Sequence, residues 1–270
     1  MKNALVVLVV GEKYIAEYNQ YFKPSHERFA TKFNLQLIIF ERYIDPLSEG
    51  KRHPSWQKLL IFEAEETKCF DRLCWIDADI YITPHAKNPF DFVAQDEWGM
   101  VKNDLRGMDY YIQSDLNNLQ YCPPENRPEY LYNGGFFIAT RKHHASLLRL
   151  VYDKYDLPYY DFKNSFEQAP LSYHIHNCKP GKELGFEFNA QVLSYCILNG
   201  SSVWSFRKFY LENSFLHFVG GTSKDWLPKV LAWENNNWKA IVIFSFFDMI
   251  TFVKEGFFKL SERIKTKLKG

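Results

Sequence analysis

Residues 74–82 read CWIDADIYI, two carboxylates, Asp77 and Asp79, set into an otherwise apolar run. If Leu73–Ile82 is one strand, its two-residue period places both acids, with Trp75, on the same face. Two carboxylates in an apolar setting repel each other and lose hydration, so a cation belongs between them. A divalent metal meets that need. The competing arrangement satisfies the acids with backbone N–H groups or with an arginine such as Arg72. At the carboxyl end of a strand in an open α/β sheet, such a pair faces the crevice where nucleotides bind.

Outward from this stretch, apolar runs of strand length recur with helix-like segments between them. That is the pattern of a mixed, mostly parallel, Rossmann-like α/β sheet flanked by helices. Ala4–Val10 reads as the first strand, Leu35–Phe40 as the second, and Tyr132–Ala139 and Phe215–Val219 as later ones. Residues 13–33 carry irregular helical spacing interrupted by Pro24. Residues 56–68 predict a helix capped by Ser55, with Trp56, Leu59, Leu60 and Phe62 on its apolar face. His143–Tyr155 and Phe166–Ile175 predict two more. From Asn103 to Tyr130 the periodicity fails around Pro123, Pro124 and Pro128, which predicts a long, mobile, functional loop.

The 270 residues hold 33 Lys and Arg against 32 Asp and Glu, a net charge of +1, so no basic field exists to hold nucleic acid. Five cysteines without C-x-x-C or zinc spacing read as reduced thiols of a cytoplasmic protein. The apolar run from Ala4 to Val10 ends in Gly-Glu-Lys with no cleavage site, so it reads as a strand and not as a signal peptide. Residues 1–235 read as one domain and 236–270 as an amphipathic, basic helical segment. Within that segment, Trp238–Val253 is apolar apart from Lys239, Ser245, Asp248 and Thr251, and six basic residues follow. It is too short and too interrupted to span a bilayer. It suits either an interfacial helix at an anionic membrane surface or a terminal helix packed on the domain with a solvated basic tip.

Further motifs follow the order of a known family. Asp77-Ala78-Asp79 follows an apolar strand, HPSWQK (53–58) lies upstream, and YNGGFFIATR (132–141), FEQAPL (166–171) and HFVGG (217–221) lie downstream. From residue 4 to about 226 the chain resembles the nucleotide-sugar glycosyltransferases of GT-A fold. It looks most like the retaining glycogenin-like enzymes and the plant xylosyl and yeast galactosyl or mannosyl transferases. The resemblance implies transfer of a hexose or pentose from a UDP-sugar to a glycan or lipid-linked acceptor, with retention. It implies Asp77, Asp79 and His217 as metal ligands, and two carboxylates with one imidazole suit Mn²⁺ or Mg²⁺.

In the donor site so implied, Val9 and Gly11 offer backbone groups to the uracil, and Tyr14 or Trp56 lies along it. Lys58 stands upstream of the acids, Asp77 lies near the ribose, and Asn133 and Gly134 approach the sugar. Glu167 holds sugar hydroxyls, Gln168 faces the anomeric carbon, and Lys224 meets the diphosphate. Four positions depart from the family pattern: Glu stands at 167 in place of Asp, Pro at 170, an added Gly at 221, and Asp225 in place of proline. Two other readings stay open. One is a phosphohydrolase of haloacid-dehalogenase type with Asp77 as nucleophile, although Tyr81 stands where that family has Thr or Val. The other is a non-catalytic nucleotide-sugar binder at a membrane.

Overall fold

The run from Ala4 to Leu8 is apolar at every position because it forms the interior of a sheet covered on both faces. In the computed structural model, which describes residues 1–103, 113, 116–155, 167–178 and 181–252, β1 (Asn3–Leu8) lies between two parallel neighbours, β2 (Gln36–Phe40) and β3 (Arg72–Ile76). Leu5 and Val7 join Cys74 and Ile76 in the core on one face, while Ala4 and Val6 join Leu73 and Trp75 in the core on the other. Burial on both faces removes the polar alternation that a half-exposed strand would carry.

The chain continues through β4 (Ile80–Ile82), β5 (Gly99–Lys102), β6 (Tyr132–Thr140), β7 (Lys182–Leu184), β8 (Ala190–Gln191) and β9 (Phe215–His217). They build a six-stranded sheet in the order β2-β1-β3-β6-β5-β7 and a three-stranded sheet in the order β4-β9-β8. Among the described strands of the larger sheet, β6 alone runs against the others. The architecture is thus mixed α/β with a mostly parallel central sheet.

The third strand expected over Leu73–Ile82 is two strands in two sheets. Between them Asp77-Ala78-Asp79 forms a turn, closed by Ile80 N–H donating to Asp77 C=O at 3.1 Å. The two acids therefore converge through a turn and not through strand periodicity.

The segment after β1 runs as α1 (Glu12–Glu17), a π-helical turn over Tyr18–Phe22, and α2 (Lys23–Lys32). Pro24 sits in the first turn of α2, where no backbone donor is needed. α2 protects the open edge of β4. Ser25 Oγ accepts from Ile82 N–H, Arg28 donates to Ile82 C=O, and His26 Nε2 donates to Ile80 C=O at 2.6 Å.

The helix expected over 56–68 is replaced by two 3₁₀ turns, Pro54–Leu60 and Glu65–Thr67. Trp56, Gln57, Lys58, Leu59 and Leu60 are all buried, so this first stretch has no solvent face for an amphipathic helix to present. Gln57 is held from two sides, accepting from Asp45 N–H and donating to Ser48.

α3 (Arg141–Lys154), α4 (Gln168–Cys178), α5 (Val192–Asn199), α6 (Val203–Glu212), α7 (Gly221–Lys224) and α8 (Leu227–Glu234) complete the shell, followed by a C-terminal helix over 238–252. Of the loop expected between Asn103 and Tyr130, residues 104–112, 114 and 115 lie outside the described residues. Cys69, Cys74, Cys122 and Cys196 are thiols. No helix among the described residues is long and apolar enough to cross a membrane.

Candidate active site

The turn between β3 and β4 brings Asp77 and Asp79 to the floor of a cleft of about 780 Å³, opposite His217 at the end of β9. The register of the small sheet makes this meeting: His217 pairs with Ile80 on β4 and with Gln191 on β8. Ligand atoms of Asp77, Asp79 and His217 lie within 4.8 Å of one another. His217 Nε2 is 3.2 Å from Asp79 Oδ1 and 4.0 Å from Asp77 Oδ2.

The imidazole is oriented from behind. Asn189 Nδ2 donates to Asn133 Oδ1, which turns Asn189 Oδ1 towards His217, and His217 Nδ1 donates to it at 2.8 Å. Nε2 is left pointing at the two carboxylates, the tautomer a metal-ligating histidine needs. Burial opposes the charge of Asp79, but its interactions with His217, 3.2 Å away, and with Lys224 beyond outweigh that and hold the carboxyl below its ordinary value. Two half-buried carboxylates and a buried, pre-oriented imidazole fit a hard divalent ion.

Behind Asp77 lies a second charged group. Lys58, fully buried, donates to Gly134 C=O at 2.7 Å and to Glu167 Oε1 at 2.7 Å, and stands 3.2 Å from Asp77 Oδ1. Burial disfavours its charge, yet Asp77 and Glu167 outweigh that penalty and raise its pKa. With its three donors so engaged, Lys58 ties the strand-end acid to the start of α4. Arg72 satisfies neither acid; its guanidinium donates to the carbonyls of Phe90 and Val93. Asp77 accepts instead from Trp75 Nε1 at 2.9 Å, and its N–H donates to Gly135 C=O.

The paired glycines make room for these groups. A Cβ on Gly134 would stand 2.7 Å from Glu167 Oε1, and one on Gly135 would stand 2.3 Å from His217 Cε1 and 2.8 Å from Asn133 Oδ1. The Gly134 N–H donates to Gln168 Oε1 at 2.9 Å, which pins that side chain at the cleft.

Of the residues singled out in the sequence, Tyr14, Lys58, Asp77, Asp79, Asn133, Gly134, Glu167, Gln168, His217 and Lys224 line this one cleft. Three do not. Trp56 is 3% exposed in the core, with the Arg52 guanidinium over its ring. Val9 is buried and its N–H donates to Phe40 C=O; Gly11 caps α1, its carbonyl accepting from Ile15 N–H. Lys224 forms an ion pair with Glu17 at 2.5 Å beside the Tyr14 ring, linking α7 to α1 across the cleft.

Several lining residues were given no site role from the sequence. His53 and Ser55 lie beside Lys58, and Gln191 donates to Asn103 Oδ1, which also accepts from Asn133. These amides, with Asn189, have no spacing that distinguishes them from turn residues.

No protein-family model and no curated protein matches the sequence. The fold is similar to that of solved glycosyltransferases. One, a glycosyltransferase involved in the glycosylation of the major capsid of PBCV-1, superposes with a TM-score of 0.55 at 14% identity, covering 83% of this chain and 97% of that one. Another, the bifunctional glycosyltransferase WbbM in its apo form, gives 0.51 at 12% identity, over 88% of this chain and 51% of its own length. In architecture, then, this chain is built like those two glycosyltransferases.

Proposed function

We propose that this protein is a metal-dependent glycosyltransferase, moving a hexose or pentose from a UDP-sugar to a glycan or lipid-linked acceptor with retention. The observation that carries the reading is the convergence of Asp77 and Asp79, on the turn between the two sheets, with His217 of the smaller sheet in one cleft. The glycosyltransferase-like fold supports it.

Asp77, Asp79 and the Nε2 of His217 would hold Mn²⁺ or Mg²⁺. When bound, such an ion neutralises charge that develops on a diphosphate leaving group. Around it the chain supplies position and charge. Lys224 exchanges Glu17 for the diphosphate, adding a cation at the far wall. Lys58 acts through Asp77 and Glu167 and does not touch the donor, so it is a positioning residue. Gln168, held at the cleft by Gly134 N–H, takes the role of facing the anomeric carbon in this reading, with Glu167 beside it in the sequence. Tyr14, exposed at the cleft mouth, takes the uracil in place of the buried Trp56.

The test is a donor screen with UDP-galactose, UDP-glucose, UDP-xylose and GDP-mannose, reading released nucleotide with and without Mn²⁺. Metal-dependent release of UDP from one donor is the expected result. Release of inorganic phosphate from simple phosphomonoesters would support the phosphohydrolase reading instead, and binding without turnover would support the non-catalytic one.

A further inference from the structure

The C-terminal helix over 238–252 is built with its charge inside and its apolar side out. The side turned to the body carries Ile241, Phe244, Ser245 and Asp248. Asp248 accepts from Val203 N–H at 2.7 Å and pairs with Lys229 at 2.6 Å. The opposite side carries Trp238, Val242, Ile243, Phe246, Phe247 and Met249, each more than half exposed, with Lys239 as the charged residue among them. Trp204 on α6, bonded to Ser245 through its indole N–H, and Ile197 on α5, which lines a groove with Phe252, extend the exposed apolar surface. A terminal helix that merely completed a soluble domain would show the reverse pattern. An apolar face of this extent marks a docking surface.

We infer that this face docks on an anionic phospholipid surface. Two observations select lipid over a second copy of the chain. Half of these exposed residues are aromatic, Trp204, Trp238, Phe246 and Phe247, the side chains that populate the apolar face of interfacial helices. Beyond residue 252, the last one described, the sequence brings Lys254, Lys259, Arg263, Lys265, Lys267 and Lys269 against only Glu255 and Glu262, a charge that complements anionic headgroups. Apolar insertion and basic attraction act together in interfacial helices, and neither alone gives stable attachment. The groove beside the helix includes Trp226, the next residue after the cleft-lining Asp225, so lipid attachment would adjoin the cleft. The inference does not depend on the metal or the donor, and its test uses neither.

The full chain is sedimented with vesicles of phosphatidylcholine alone and of phosphatidylcholine with phosphatidylglycerol, without nucleotide or metal. Binding to the anionic vesicles is expected at about 0.05 M salt and is lost towards about 0.5 M. Ile243→Asp with Phe246→Asp, at two exposed positions, lowers the partition coefficient by about tenfold or more. A second variant, with Lys254, Lys259, Arg263 and Lys265 all changed to Gln, leaves residues 238–252 untouched and lowers it as well. Absence of binding to anionic vesicles at low salt overturns the inference, as does binding that both variants leave unchanged. A dimer in light scattering that the Asp pair dissociates, with no vesicle binding, also overturns it and assigns the face to a second copy.

Discussion

Adding one methyl group at Gly135 should disable the proposed metal site while leaving Asp77, Asp79 and His217 in the sequence. The Cβ of Gly135→Ala would stand 2.3 Å from His217 Cε1, 2.9 Å from His217 Nδ1 and 2.8 Å from Asn133 Oδ1. Ordinary contact begins near 3.4 Å, so the imidazole must retreat by about 1 Å, the difference between 3.4 and 2.3 Å. It has nowhere to go without loss, since His217 is buried and its Nδ1 is committed to Asn189 at 2.8 Å. Overpacking of this kind costs about 1–3 kcal/mol of stability. Displacing an oriented ligand by about 1 Å costs on the order of 10²-fold in turnover, and loss of its supporting hydrogen bond about 10–100-fold in metal affinity. The assay pairs urea denaturation with a Mn²⁺ titration of UDP release. A folded variant that needs more Mn²⁺ for half-maximal release is expected. If Gly135→Ala shows the parent's stability and its Mn²⁺ dependence, the argument from close approach is wrong.

Three further outcomes follow from the same geometry. Asp79→Ala should abolish Mn²⁺-dependent UDP release by about 10²-fold or more with the fold retained by circular dichroism, because it removes a ligand that faces the cleft; unchanged metal-dependent turnover would remove Asp79 from the site. Lys58→Met should cost about 3–5 kcal/mol in urea denaturation by stranding the buried Glu167 carboxylate, and adding Glu167→Gln should recover much of that; a double variant no better than the single would refute the charge-pair account. The third concerns His26, whose imidazole burial holds at about 4 against an ordinary 6.5, with the Ile80 carbonyl pulling the other way. The folded chain keeps this ring neutral while the unfolded chain protonates it, so its contribution is complete above pH 6.5 and is lost as pH falls towards 4, about 3 kcal/mol in all. His26→Gln should flatten that part of the stability curve, and a variant whose stability falls as steeply as the parent's would sink the assignment.

How much of this could be read in the sequence differs from residue to residue, for physical reasons. The buried strands announced themselves because apolar runs bounded by polar turns admit few other structures, and Asp77 and Asp79 stood out because unpaired acids in such a run are costly. Yet the reason given for their convergence, a shared strand face, does not apply, since backbone hydrogen bonds close a turn there. Trp56 carried the right chemistry for a uracil platform and is core, because an aromatic ring gives the same signal in either place. Lys58 was legible as a site residue but not in its role; only the tertiary fold reveals that Gly134, Asp77 and Glu167 surround it. The amides Asn103, Asn189 and Gln191 were invisible, since their function lies in which partner each one faces.

The hand-over of the chain from the large sheet to the small one at Asp77-Ala78-Asp79 has a bearing on how the protein folds. Asp77 directly follows the last residue of β3 in one sheet, while His217 belongs to a strand that pairs only in the other. Pairing between β4 and β9 joins segments far apart in the chain, and contacts of that kind form late because loop-closure entropy must be overcome first. During refolding the large sheet can regain its backbone ladder before His217 arrives, so far-UV dichroism should recover ahead of the proposed metal-dependent UDP release. The lag between those two signals reports the docking of one sheet on the other.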